Sequence, residues 1–184
     1  MAIAKSTNMI ACALAACAWV LAAAGDARAE TAAEAVHSEP LDVATQKEIN
    51  ALYRKLIEAE NHHDLAAVRG MAWNSPSTLF VAKTATAEEG NWAGFWGTDL
   101  VMEHLAALYA AGPFRIEPDY EAVKVVGLTN DVAETYAPVK ITVAYAGQTP
   151  VPKPFLMILN WIRTPEGWRM ATDIALPIPP APHS

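Results

Sequence analysis

Few side chains in this 184-residue chain are placed to do chemistry, and Asp173 is the foremost of them. It stands in Met170-Ala171-Thr172-Asp173-Ile174-Ala175-Leu176, an apolar, strand-like stretch just before the terminal prolines. A carboxylate buried there without a partner is costly. Facing an interior, it gains proton affinity and becomes a general acid or base. Facing outward, it pairs with a surface base or with backbone donors. Strand alternation groups Asp173 with Arg169 and Ala171, opposite Trp168, Met170 and Ile174, and leaves open which face lines a pocket. His104 is the second candidate, next to the apolar stripe of Val101, Leu105 and Leu108. A half-buried His carries protons near neutral pH. A His at the edge of a helical core face is more often simply packed. The cluster His62-His63-Asp64 does not read as a metal site, because adjacent side chains on a helix point apart. Asp64 is better placed to cap a helix. No metal ligand set is assigned.

The candidate ligand contacts are aromatic. Gly90-Asn91-Trp92-Ala93-Gly94-Phe95-Trp96-Gly97 sets three large rings among three glycines and reads as a loop. Its rings either cover a ligand or plug the open end of the core. Tyr53, Trp73, Trp92, Trp96, Tyr120, Tyr136 and Asn160 are assigned to a pocket wall, with Tyr145 and Trp161 as further candidates. Tyr136 and Asn160 would supply hydrogen-bonding groups in an otherwise apolar lining, as ligand pockets usually have. No Gly-rich phosphate loop, nucleophile elbow, zinc signature or dinucleotide fingerprint occurs, and no cofactor is expected.

Composition bounds the rest. Apolar residues make up 53% and charged residues 18%, which excludes a disordered chain. A formal net charge of −7 disfavours nucleic acid as a partner, since phosphate contacts need a basic face. Lys5 is the only charge before Asp26, Met9 to Gly25 is apolar, and Ala27-Arg28-Ala29 offers small residues where a signal peptidase reads. Residues 1–29 therefore read as a secretory signal cleaved after Ala29, making the protein periplasmic or secreted. An uncleaved anchor is the alternative, although the run is short and Ala-rich for a span. So is a lipoprotein, since Leu14-Ala15-Ala16-Cys17 resembles a lipobox. Both cysteines, Cys12 and Cys17, lie in the signal, so the mature domain has no thiol and no span.

Residues 30–44 read as a flexible leader, 45–177 as one domain and 178–184 as a Pro-rich tail. Thr45-Gln46-Lys47-Glu48 resembles a capping box, and Ile49, Leu52, Tyr53, Leu56 and Ile57 fall on one helical face. A short helix follows from Leu65 to about Arg69. Thr78-Leu79-Phe80-Val81 is a short strand candidate. A third helix begins at Thr98 or Asp99 and stops at Gly112-Pro113. Four long strands are then expected: Phe114 to about Val126, Val132 to Tyr145, Phe155 to Arg163 and Trp168 to Leu176. Helices first and strands after predict an α+β fold, with a curved antiparallel sheet packed on the helices.

In this order of elements the sequence resembles the nuclear transport factor 2-like superfamily, which includes SnoaL-like proteins and ketosteroid isomerases. The resemblance runs from about Thr45 to Leu176. It is carried by the first helix with His63-Asp64-Leu65-Ala66-Ala67-Val68, by Gly97-Thr98-Asp99-Leu100-Val101, and by the terminal hairpin Trp161 to Met170. It implies a cone, in which the sheet wraps the helices around a mostly apolar pocket, and a homodimer. It does not choose an activity. Isomerase chemistry needs a base and an oxyanion hole of Tyr and protonated Asp, for which ketosteroid isomerase is the reference case. Aligned on Asp64, the family's Tyr falls on Leu56 and its base on Phe80, and neither can serve. The expectation is therefore a small-molecule-binding domain for an apolar or aromatic ligand. The alternative is a cofactor-free isomerase, dehydratase or hydrolase that uses Asp173 or His104.

Overall fold

A computed structural model describes residues 41–83, 92–144 and 149–178, and the expected signal, most of the expected leader and most of the expected tail lie outside them. Helix α1 spans Val43–Asn61. The Asp42 carboxylate starts it, accepting from the Thr45 N–H at 2.8 Å and from the Thr45 hydroxyl at 2.9 Å. Thr45, expected as the cap, is thus a partner of the cap, and the helix begins two residues earlier. A side-chain cap of this kind stabilises a helix by about 1 kcal/mol. Ile49, Tyr53, Leu56, Ile57 and Glu60 are buried along one face of α1. Helix α2, Leu65–Met71, is capped by Asp64, whose carboxylate accepts from the Ala67 N–H at 2.9 Å.

Strands β1 (Leu79–Lys83) and β2 (Trp92–Trp96) precede helix α3 (Thr98–Ala111). The aromatic segment expected as a loop is therefore an edge strand from Trp92 onward, pairing Phe95 with Phe80 and Trp92 with Lys83. Gly90 and Asn91 lie outside the described residues. Thr98 does not cap α3. Its hydroxyl donates instead to the Trp73 carbonyl at 2.8 Å, and the cap position is Gly97 at φ +88°. Gly112 ends α3, where a Cβ would come within 2.9 Å of the Ala144 Cβ. That spacing admits no side chain without movement.

The strand expected from Phe114 to Val126 is two, β3 (Phe114–Pro118) and β4 (Lys124–Thr129), because Pro118 and the turn after it break the ladder. Then come β5 (Val132–Val143), β6 (Lys153–Thr164) and β7 (Gly167–Pro177). The seven described strands form one curved, unclosed sheet in the order β2-β1-β7-β6-β5-β3, with β4 also on β5. The sheet is mixed rather than wholly antiparallel, since β1 runs parallel to β7, pairing Phe80 with Asp173.

The helices contact strands from both ends of this sheet: α1 meets β3 and β4, α2 meets β7, and α3 meets β1 and β2. The core includes Ile49, Tyr53 and Leu56 of α1, Val101 and Leu105 of α3, and Leu159, Trp161, Trp168 and Met170 of the last two strands. The indole of Trp161 donates to the Thr135 hydroxyl at 2.8 Å, which satisfies two polar groups that burial would otherwise leave unpaired.

Candidate functional site

Glu60 is the residue that sequence reasoning missed. It follows Leu56 by four positions and Ile57 by three, so it occupies the next place on the buried stripe of α1. A carboxyl where the period calls for an apolar side chain is the available signal. Asn61 holds this end of the helix against the sheet. Its amide donates to the Ile116 carbonyl at 2.8 Å, and its Oδ1 accepts from the Ile116 N–H at 2.7 Å. The side chain thus pairs with β3 as a neighbouring strand would.

Asp173 reaches the interior because of a bulge in β7. On β6 the buried residues alternate without interruption as Met157, Leu159 and Trp161. Trp161 pairs with Met170, Asn160 pairs with Thr172, and Leu159 pairs with Asp173, so Ala171 is an extra residue in the ladder. Inserting one residue exchanges the two faces beyond it. Asp173 therefore shares the buried face of Trp168 and Met170, which corrects the grouping given by plain alternation. Like Glu60, it is only 2% exposed.

The two carboxyl groups line one cavity, with Phe80, Ala82, Trp92, Leu105, Ile116 and Met157 among its apolar walls. The cavity is small, about 30 Å³. That is room for about two waters. A larger guest requires apolar side chains to swing aside.

Burial dominates the electrostatics. It raises the Asp173 carboxyl from the ordinary carboxylate range to about 7. Glu60 is pushed well above its ordinary value, first by burial and then by the charge of Asp173. The charge of Asp173 favours the protonated form of Glu60. Two buried acids coupled in this way can serve as a base and a proton donor. Tyr53 and Tyr109 add hydroxyls. Both are buried without a hydrogen-bond partner, as is Oδ1 of Asp173. Burial raises both phenols above their ordinary value, and the charges of Asp173 and Glu60 add to it. Both are therefore neutral donors near the carboxyl pair. Tyr109 is held from outside by His63, whose ring stacks on it at 4.4 Å with 5° between planes.

The other candidates fall in different places. His104 is 8% exposed and stacks on Phe95 at 3.7 Å between ring centroids. Burial lowers its pKa to about 4, so the ring is neutral, and it does not line the cavity. Trp92 lines the cavity and packs near Phe155. Tyr53 sits in the core, edge-on to Tyr120, and Tyr120 lies under the Arg54 guanidinium, 3.9 Å from its ring centroid. Tyr120 faces an outer groove with Arg54 and Arg115 rather than the cavity. Trp73 ties α2 to the sheet through its backbone, its N–H donating to Met170 and its carbonyl accepting from Thr78 and Thr98. Trp96 is 58% exposed beside Ser75 and Leu100.

Tyr136 and Asn160 lie on the sheet face opposite the cavity, because they alternate with the buried Thr135, Ala137, Leu159 and Trp161. The Asn160 amide there donates to the Glu134 carboxylate at 3.2 Å. Trp161 is core, and Tyr145 lies outside the described residues. His62 and His63 diverge as expected. The His62 Nδ1 donates to the Glu58 carbonyl at 2.7 Å, while His63 turns onto Tyr109. Among the described residues no three His, Cys, Asp or Glu side chains converge to hold a metal ion.

The sequence matches no protein-family model and no curated protein. Solved structures do match. A candidate dehydratase of the NTF2-like family from Streptomyces avermitilis shares 18% identity at a TM-score of 0.60, over 74% of this chain and 98% of its own. A candidate aromatic ring hydroxylase from Novosphingobium aromaticivorans shares 15% at 0.61, over 76% and 93%. An NTF2-like superfamily protein from Salmonella enterica serovar Typhimurium shares 12% at 0.60, over 76% and 95%. Similarity at this level speaks for fold and not for activity. The curved sheet, the helices packed on it and these structural matches agree: the chain has an NTF2-like fold.

Proposed function

We propose that the protein is a cofactor-free acid–base enzyme acting on a small, largely apolar carbonyl compound held in the cavity. The observation that carries this reading is the convergence of Asp173 and Glu60 on one apolar cavity. In the proposed step the Asp173 carboxylate takes a proton from the carbon next to the carbonyl. Glu60 hydrogen-bonds the oxygen on which negative charge develops. Return of the proton to another carbon isomerises the substrate. Departure of a β-hydroxyl with the Glu60 proton releases water and dehydrates it. The position of Asp173 differs from that of the ketosteroid-isomerase base, which would fall on its β1 neighbour Phe80. His104 has no part in this scheme, since it lies outside the cavity lining.

Hydrogen exchange tests the reading while the natural substrate is still unidentified. The protein is incubated in D₂O with a panel of apolar ketones and hydroxyketones, and deuterium at the carbon beside the carbonyl is followed by NMR. Exchange in the wild type and its loss in Asp173→Asn support the proposal. Binding without exchange returns the protein to the second reading, a binding domain without turnover, which the apolar lining favours. Export remains part of the proposal, and N-terminal sequencing of secreted material should begin at Glu30.

A further inference from the structure

A second hollow adjoins the cavity, and the two share Lys83, Trp92, Ile141, Val143 and Phe155. Lys153 lines this outer hollow. It precedes Phe155, Met157 and Leu159 at every second position of β6 and pairs with the cavity-lining Ile141, so it continues the inner face to the start of the strand. Lys83 lines both hollows from the end of β1. Among the described residues no carboxylate lines the outer hollow and neither lysine makes an ion pair. The two cations stand against a chain whose formal net charge is −7.

We infer that this outer hollow selects an anionic substrate: a monocarboxylate whose apolar body enters the cavity while its charged end stays at Lys83 and Lys153. The inference rests on the cavity being the ligand site and not on turnover. Among the described residues, the cations line the outer hollow, Trp92 and Phe155 line both hollows, and the Glu60–Asp173 pair lines the inner cavity. An anion in the inner cavity would be repelled by the ionised member of that pair. An anion in the outer hollow meets two ammonium groups whose stems pack on apolar wall. The same field orients the guest, so its neutral end is presented to the carboxyl groups.

Calorimetric titration of the mature protein with 4-phenylbutyrate and with its neutral amide tests the inference. The carboxylate should bind about three- to tenfold more tightly at low salt, as two partly solvated charge pairs allow. The preference should shrink at high ionic strength. It should vanish in Lys83→Met/Lys153→Met and survive in Lys83→Arg/Lys153→Arg. Equal binding of the two probes by the wild type overturns the charge selection and leaves the cavity as the site. Binding of neither overturns the cavity reading on which the inference rests.

Discussion

Asp173 and Glu60 reach one cavity from the last strand and the first helix, and the charge of Asp173 favours the protonated form of Glu60. The arrangement depends on two local devices. The extra residue at Ala171 turns Asp173 inward, and the Asn61 clasp fixes the helix end that carries Glu60.

Stability should depend on pH through opposing groups. Asp173 has a free value of 3.8 and a folded value of about 7. The folded chain binds more protons between these values, so this group lowers stability as pH rises from about 4 to 7. Glu60 acts in the same direction. His104 has a free value of 6.5 and a folded value of about 4. Here the unfolded chain binds more protons, so this group raises stability with pH over nearly the same window. Urea unfolding from pH 4 to 7 should therefore tilt upward in Asp173→Asn relative to the wild type, and downward in His104→Phe. Profiles parallel to the wild type in both variants would sink the burial argument.

The orphan hydroxyls should be inexpensive to remove for the fold. Tyr53→Phe and Tyr109→Phe delete buried donors that have no partner, so the unfolding midpoint should hold or rise. A drop in stability in both variants would assign the tyrosines to packing.

Asn61→Ala should destabilise the protein by about 2 kcal/mol, because it leaves the Ile116 N–H and carbonyl without the partner they now share. Glu60 should loosen with it. Denaturant titration measures the first effect, and the exchange rate measures the second.

The outer sheet face should close a homodimer. Tyr136, Ile158 and Ile174 pair in a row across β5, β6 and β7 on that face, and Tyr136 is 39% exposed. Light scattering should give a dimer for the wild type and a monomer for Tyr136→Glu. A wild-type monomer would remove this assignment and leave the cavity untouched.

The fold is largely legible because its elements follow simple periods. The stripe Ile49-Tyr53-Leu56 and the apolar run of β6 are read directly from the sequence. Three features resist. The bulge at Ala171 rests on pairing with a separate strand, which no local pattern records. The β1–β7 pairing is equally non-local, so local patterns point to an antiparallel sheet where the sheet is mixed. The strand at Trp92–Trp96 is masked by its glycines, which read as loop. At the site, Asp173 stands out as a carboxyl among apolar neighbours, whereas Glu60 looks ordinary on a helix full of charges. Residue type alone points to Tyr136 and Asn160 as lining, and alternation from Trp161 puts them outside.

The parallel pairing of β1 with β7 also governs assembly. Leu79 and Thr172 meet although about 90 residues separate them along the chain, and non-local closure of this kind slows folding. Strand β7 stands between β1 and β6, so among the described strands the β1–β2 ribbon joins the rest of the sheet through a segment synthesised about 90 residues later. A nascent chain must hold its helices and first ribbon unjoined until that segment emerges. Such a delay would keep the polypeptide threadable, which suits the proposed export.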